Sequence, residues 1–184
     1  MKLIMIRHGE TNLNKNSIVQ GRLDFPLNDT GIQQADASAD QLKKVIEKID
    51  VFVSSPSMRA LQTTKIIAGR YKHRQHIMTD ESFYERDFGS YDGRLIKDVF
   101  PIIHIPEGYE HDDEIRNRVF KGILKLYQKY PNETVLVGCH SHTIKAFLTE
   151  IFPDKFTFSD RLVNGAFFIF EINNDDFKLI FQFN

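Results

Sequence analysis

Short apolar runs alternate along this chain with longer stretches in which apolar residues recur every third or fourth position. Leu3 to Ile6 is a continuous apolar run, the pattern of a strand buried on both faces. From Ile32 the positions Ile32, Ala35, Ala39, Leu42, Ile46 and Ile49 form the stripe of an amphipathic helix, and Thr30 with Gln33 has the form of a capping box at its start. Asp50 to Ser54, centred on Val51-Phe52-Val53, predicts a second buried strand. Residues from Ser57 to about Arg70 read as helix, and His76 to Thr79 as a short strand. Ile115, Val119, Ile123, Leu126 and Tyr130 mark a further helix, closed by Pro131. Thr134 to Val137 is a third buried strand, followed by a helix carrying Ile144, Phe147, Leu148 and Ile151. Phe167 to Ile172 and Phe177 to Phe183, around Asn173-Asn174-Asp175-Asp176, predict a β-hairpin.

Strands alternating with helices imply an α/β fold, a three-layer α/β/α sandwich around a mostly parallel sheet. No repeat, low-complexity tract or linker divides residues 1–184, so a single domain is expected. In such sheets ligands bind beyond the carboxyl ends of the strands. The residues that follow the three buried runs are Arg7 and His8, then Ser54-Ser55-Pro56 leading to Arg59, then His140. Two arginines and two histidines on one rim make an anion site with a nucleophile candidate inside it.

Composition narrows the ligand. The 24 basic and 25 acidic side chains nearly cancel, so nothing draws the whole molecule to nucleic acid or to an anionic membrane. Bound anions must be held by a local cluster. The lone Cys139 excludes an intramolecular disulfide and any multi-cysteine metal site, which fits a reducing, cytoplasmic setting. The first apolar run is too short for a signal sequence and is cut off by Arg7 and His8. No stretch approaches the ~20 apolar residues of a membrane span. No histidine pair has zinc-motif spacing, and arginines beside histidines would repel a cation, so no metal or cofactor is expected. His73, His76, His104 and His111 read as solvent-facing, and Cys139 as a buried, unreactive residue.

Arg7-His8-Gly9-Glu10-Thr11, with Asn14 beyond it, resembles the signature of the histidine phosphatase (phosphoglycerate mutase-like) superfamily. The resemblance continues through Gln20-Gly21, Asp24 and Pro26-Leu27, and through Thr30-Gly31 with Gln34-Ala35. It extends to Ser54-Ser55-Pro56 with Arg59-Ala60 and Thr63-Thr64, then Glu85-Arg86-Asp87-Phe88-Gly89 with Asp92-Gly93, and last Val135 to His140. The resemblance implies that His8 carries the phosphoryl group, which requires a neutral imidazole with one free nitrogen and the other held by an acceptor. Gly9 would let the backbone pass close to the phosphate. Arg7 and Arg59 would clamp the phosphate with their guanidinium forks. Asn14, Gln20 and Gly21 would complete the binding loop, and His140 would stabilise developing charge. Glu85 would protonate the leaving oxygen and then deprotonate the attacking water. Glu10 and Asp24 read as loop and turn residues. Ser141 stands where the family usually has glycine and adds a hydroxyl to the pocket, and His142 reads as an accessory or surface group.

The same resemblance leaves three functions open: a phosphatase for a small phosphomonoester, releasing inorganic phosphate; a cofactor-dependent phosphoglycerate mutase; and a phospho-ligand-binding module without turnover. Family mutases carry a longer insertion with additional basic residues. Here the segment 94–111 is short, and Arg94 and Lys97 are its firm positive charges against Asp98, Glu107 and Glu110. Gln20-Gly21 also looks like the phosphatase branch, so hydrolysis is the favoured reading. Phe100-Pro101-Ile102-Ile103-His104-Ile105-Pro106 is expected to overhang the site. It would either favour a substrate with a hydrophobic part or pack onto the core or a second subunit, as in a homodimer.

Overall fold

The computed structural model describes residues 1–73, 76–174 and 176–184. Its elements, in chain order, are β1 (Lys2–Arg7), α1 (Asn12–Lys15), α2 (Asp29–Leu42), β2 (Val51–Ser54), α3 (Met58–Arg70), β3 (Met78–Thr79), α4 (Ile96–Val99), α5 (Asp112–Lys129), β4 (Thr134–Cys139), α6 (Ser141–Ile151), β5 (Phe167–Asn173) and β6 (Asp176–Phe183). Two 3-10 turns, Glu81–Phe83 and Gly89–Tyr91, lie between β3 and α4. The strands form one sheet in the order β3-β2-β4-β1-β5-β6. β3, β2, β4 and β1 run parallel, and β5 and β6 continue the sheet antiparallel.

Alternation along each strand splits the core in two. Leu3, Met5, Val135, Val137 and Phe170 point to one face, where Ile115, Val119 and Ile123 of α5 and Ile144 and Phe147 of α6 cover them. Ile4, Ile6, Phe52, Leu136 and Phe167 point to the other, under Ala39 and Leu42 of α2 and Ile67 and Ala68 of α3. Each such buried aliphatic or aromatic side chain is worth ~1.5–3 kcal/mol of transfer energy. The three-layer sandwich expected from the alternating pattern is the one observed.

Local boundaries differ from the expectation at both ends of α2. α2 begins at Asp29, capped by Asn28, whose Oδ1 accepts the Gly31 N–H at 2.8 Å; the Thr30–Gln33 box does not form. The helix also ends at Leu42 rather than near Ile49. Lys44 and Val45 donate to the carbonyls three residues back, tightening the last turn. That tightening lets Ile46 and Ile49 return to the core from outside the helix, while Ile32 stays exposed. At the hairpin, Asp175 of the expected turn lies outside the described residues, and both flanking strands are present.

Candidate active site

The registers of the parallel strands put their carboxyl ends on one edge. Arg7 is opposite Cys139, and Ser54 is opposite Gly138. Past that edge the ladder runs on for one more bond each, His8 N–H to the Cys139 carbonyl and Ser55 N–H to the Gly138 carbonyl. His8, Ser55 and His140 are thereby delivered side by side. A cavity of about 150 Å³ opens there, and its wall includes Arg7, His8, Asn14, Gln20, Gly21, Arg59, Glu85 and Ser141. His140 is buried behind that wall, its ring edge-on to His8 with centroids 5.2 Å apart.

His8 has the attitude a nucleophile needs. Its Nδ1 lies 2.7 Å from the Gly9 carbonyl, which holds the proton on that nitrogen and leaves Nε2 free. Burial, with Arg59 and Arg7 adding to it, pushes its pKa well below the ordinary range, so the ring is neutral. Asn164 donates to the His8 carbonyl at 3.1 Å and steadies the backbone. Packing also requires Gly9: a Cβ there would lie 2.2 Å from the Gly31 carbonyl oxygen at the start of α2. His140 Nε2 is 2.9 Å from the Ser55 hydroxyl, and its Nδ1 has no partner among the described residues. Burial, then Arg59, lowers its pKa well below normal as well.

The arginines are buried cations with work on both ends. Arg7 donates through Nη1 to the Leu162 carbonyl, and burial brings its pKa down to about 10, still a cation at neutral pH. Arg59 is 1 % exposed, far from a solvated surface charge. Its Nη1 and Nη2 donate to the Leu23 and Gly21 carbonyls at 2.7 and 2.9 Å, so it holds the binding loop as well as facing the cavity. The Nε atoms of Arg7 and Arg59 have no partner among the described residues. His140 Nδ1 is likewise unpartnered, and the Arg7 and Arg59 guanidinium groups on the cavity wall suit a tetrahedral oxyanion. Asn14 accepts the Thr11 N–H at 3.2 Å through Oδ1, which commits its oxygen to the cap of α1 and leaves its amide N–H groups for a ligand. Gln20 is buried, with Oε1 unpartnered among the described residues. The turn residues behave as read: Glu10 accepts from Asn28, and Asp24 accepts the Met58 N–H at the start of α3.

Glu85 is set from two helices. Arg118 of α5 donates to the Ser82 and Tyr84 carbonyls at 2.9 and 3.0 Å, and Thr143 of α6 donates to the Tyr84 carbonyl at 2.9 Å. Its carboxylate accepts the Arg86 N–H at 2.9 Å and the His142 N–H at 3.1 Å. Burial by itself would raise the Glu85 pKa; the His142 contacts outweigh it, with His140 and the Arg86 N–H adding to them, and hold it well below the usual carboxylate range. His142 is therefore no surface group. Its Nδ1 is 3.9 Å from Glu85 Oε1, and its ring lies between Phe88 and Phe158. The sequence offered one signal for it, its place two residues after His140. Nothing local pointed to Asn164 or Arg118, which reach the site from distant segments.

Other expected details fall out as follows. Cys139 is buried, and burial raises its thiol pKa, so it is inert as read. His73 is half-buried against Phe52, 4.6 Å between centroids, rather than solvent-facing. Ile96 and Phe100 of the 94–111 segment form part of the cavity wall, whereas Ile103 and Ile105 are exposed. Among the described residues no group of three or more His, Cys, Asp or Glu side chains is arranged to hold a metal, and no helix is long and apolar enough to cross a membrane.

Comparison with known proteins agrees with this geometry. A profile of the histidine phosphatase superfamily (branch 1) matches residues 3–184. The chain is 35% identical over 179 residues to an uncharacterized phosphatase, PhoE, of Bacillus subtilis, covering 95% of this chain and 90% of that protein. A phosphoserine phosphatase of Entamoeba histolytica, solved in complex with 3-phosphoglyceric acid, superposes with a TM-score of 0.84 at 25% identity, covering 98% of this chain and 95% of the other. A phosphoglycerate mutase of Bacillus anthracis has a TM-score of 0.84 at 19% identity, covering 97% and 91%, which shows that the fold is shared.

Proposed function

We propose that this chain, which belongs to the histidine phosphatase superfamily, hydrolyses phosphomonoesters by way of a phosphoryl group carried on His8. The observation that carries the reading is the pairing of a neutral His8, Nε2 free, with the Arg7 and Arg59 cations on the wall of the same cavity.

The phosphoryl group enters as an anion and lies against those two cations. Its negative charge raises the pKa of nearby Glu85, whose carboxyl then holds a proton. His8 Nε2 attacks phosphorus; the P–N bond forms as the ester P–O bond breaks, and Glu85 delivers its proton to the departing oxygen. The charge gathered on the phosphoryl oxygens meets Arg7, Arg59 and His140, which are already in place and need no reorganisation. With the alcohol gone, Glu85 is again a carboxylate. It takes a proton from water as the water oxygen attacks phosphorus and the P–N bond breaks, and when inorganic phosphate leaves, Glu85 returns to solvent the proton it took up on substrate binding. Each turnover consumes one water and leaves the enzyme unchanged.

Hydrolysis is favoured over transfer by the 35% identity, over 95% of this chain, to a protein named a phosphatase, and by the apolar Ile96 and Phe100 that the 94–111 segment brings to the phosphate cavity. Quenching a reaction with labelled phosphomonoester in alkali should leave label on the peptide containing His8, with none in His8→Ala. Label on Cys139, or full activity in His8→Ala, would overturn the reading. Phosphorus NMR with 3-phosphoglycerate and 2,3-bisphosphoglycerate separates the two outcomes: rapid 2-phosphoglycerate with little free phosphate would establish transfer.

A further inference from the structure

Beside the phosphate cavity lies a second cavity of about 780 Å³, and Ile96, Phe100, Ser141 and His142 are shared between their walls. The two sizes have different meanings. A volume of 150 Å³ holds a phosphoryl group and little else, while the larger one falls within the ~300–1,000 Å³ typical of pockets that enclose a whole small molecule. A substrate phosphorylating His8 would therefore extend its remaining atoms into the larger cavity. Its surface is mostly apolar, contributed by Phe100, Pro101, Ile102, Phe158 and Leu162.

Three cations also face this space, in different states. Arg86 is neutralised by Asp112 at 2.6 Å and is stacked over Phe158, 4.3 Å from the ring centroid. Lys145 of α6 makes no ion pair. It is 8 % exposed, its Nζ donates to the Phe158 carbonyl at 2.9 Å, and no carboxylate lies within 4.0 Å of it among the described residues. Burial lowers its pKa, and Glu85 with the cavity-wall Asp160 opposes that only in part. Arg161, exposed on the wall of the same cavity, likewise makes no ion pair among the described residues. A buried ammonium with one carbonyl partner costs free energy that an arriving anion would offset. The hydrolytic reaction described above makes no use of Lys145 or Arg161.

We infer that the cavity is a leaving-group subsite with an anion-binding end at Lys145 and Arg161, built for phosphomonoesters whose apolar or aromatic body carries a second acidic group. The inference rests on the phosphatase reading for its link to turnover, and on the cavity and its cations for binding. The acidic group is a carboxylate or a second phosphate, since both match an ammonium and a guanidinium.

Non-hydrolysable probes test binding apart from chemistry. Calorimetric titration would compare benzylphosphonate with 3- and 4-(phosphonomethyl)benzoate, 4-(phosphonomethyl)phenylacetate and p-xylylene bisphosphonate, which differ in reach and in the second anion. At least one dianionic-ended probe should bind about tenfold more tightly than benzylphosphonate, the size expected of a charge-assisted bond. That advantage should shrink toward unity in Lys145→Met, which keeps the packing of the stem, and should fall in part in Arg161→Gln, an exposed position safe for folding. Equal binding of all probes, or an advantage that survives both substitutions, would overturn the subsite. The carboxylate and bisphosphonate arms tell the two kinds of anion apart. Probe binding as expected with no release of phosphate from p-nitrophenyl phosphate would instead sink the phosphatase reading and leave the subsite standing.

Discussion

Glu85 has two opposite duties, and its surroundings show how one carboxyl can perform both. In the free enzyme it accepts two backbone N–H groups and faces His142, which keeps it charged. The arriving phosphoryl anion supplies the opposing push. Glu85→Gln retains the shape and the N–H contacts in part but cannot move a proton, and a loss of ~10²–10⁴-fold is expected with an alkyl phosphate. With p-nitrophenyl phosphate the leaving group needs little protonation, so phosphorylation of His8 should suffer less. Rapid-quench measurement of the phosphoenzyme reads this step directly, and an equal loss with both substrates would remove Glu85 as the acid. His142 tunes the same group through its ring, whereas its backbone N–H survives substitution. In His142→Asn the Glu85 pKa should rise, moving the basic limb of the kcat profile for an alkyl phosphate to higher pH. A uniform fall in kcat with an unmoved profile would mean that the ring only packs between Phe88 and Phe158.

The loop from Ser17 to Asp24 brings Ile18, Val19, Gln20 and Gly21 to the wall of the cavity. It is short of helix and strand, so its shape comes from contacts with other segments. Val19 N–H donates to the Arg94 carbonyl and the Val19 carbonyl accepts the Gly93 N–H, Ile18 bridges Leu95, and Arg59 grips the Gly21 and Leu23 carbonyls. Gly21 sits at φ +45°, and a Cβ there would fall 2.0 Å from Asp92 Oδ1. Asp92 cannot easily yield, because its Oδ2 accepts the Arg22 N–H at 2.8 Å. Gly21→Ala thus meets both a left-handed backbone and a clash, and a stability loss of ~1–3 kcal/mol is expected from the backbone alone. Weaker competitive inhibition by vanadate should accompany it, since the Gly21 carbonyl is one of the two that anchor Arg59. Thermal unfolding and inhibition constants check the two effects separately. Unchanged values for both would mean that the loop is not held in this shape.

At the scale of the whole molecule, the site is a cluster of buried titratable groups, and it makes stability depend on pH. His8, His140 and His142 all have pKa values pushed down, chiefly by burial. Below about pH 6.5 the unfolded chain takes up protons on these histidines that the folded one refuses. Stability is therefore full above that pH and declines as pH falls, each histidine contributing up to about 1.4 kcal/mol per pH unit. Asp92 acts in the opposite direction: burial raises its pKa to about 6, so the folded state gains a proton there first and offsets the loss from one histidine. The net expectation is a fall in Tm between about pH 6.5 and 5, well before ordinary carboxylates titrate. Bound phosphate or vanadate should raise Tm in proportion to the logarithm of its concentration. A flat Tm down to pH 5 would mean that the three histidines are accessible to protons in the folded protein.

The fold was legible in the sequence because burial on both faces writes continuous apolar runs and helices write stripes; the three parallel strands around Leu3, Phe52 and Leu136 needed nothing else. The convergence of Arg7, His8, Arg59 and His140 was legible too, since residues after parallel strands share one edge. Helix ends were less so. Asn28 and Thr30 both suit a cap, and only the packing of Gly31 against the chain near Gly9 decides between them. What tertiary structure alone decided is the second layer of the site: the double duty of Arg59, the Arg118 bonds that set the Glu85 loop, the Asn164 support of His8 and the burial of Lys145 without an ion pair. Each joins segments far apart in the chain through a side chain's reach to a backbone atom or a void. Hydrophobic periodicity records which face of an element is buried, but it carries no information on where a long polar side chain, once buried, finds its partner.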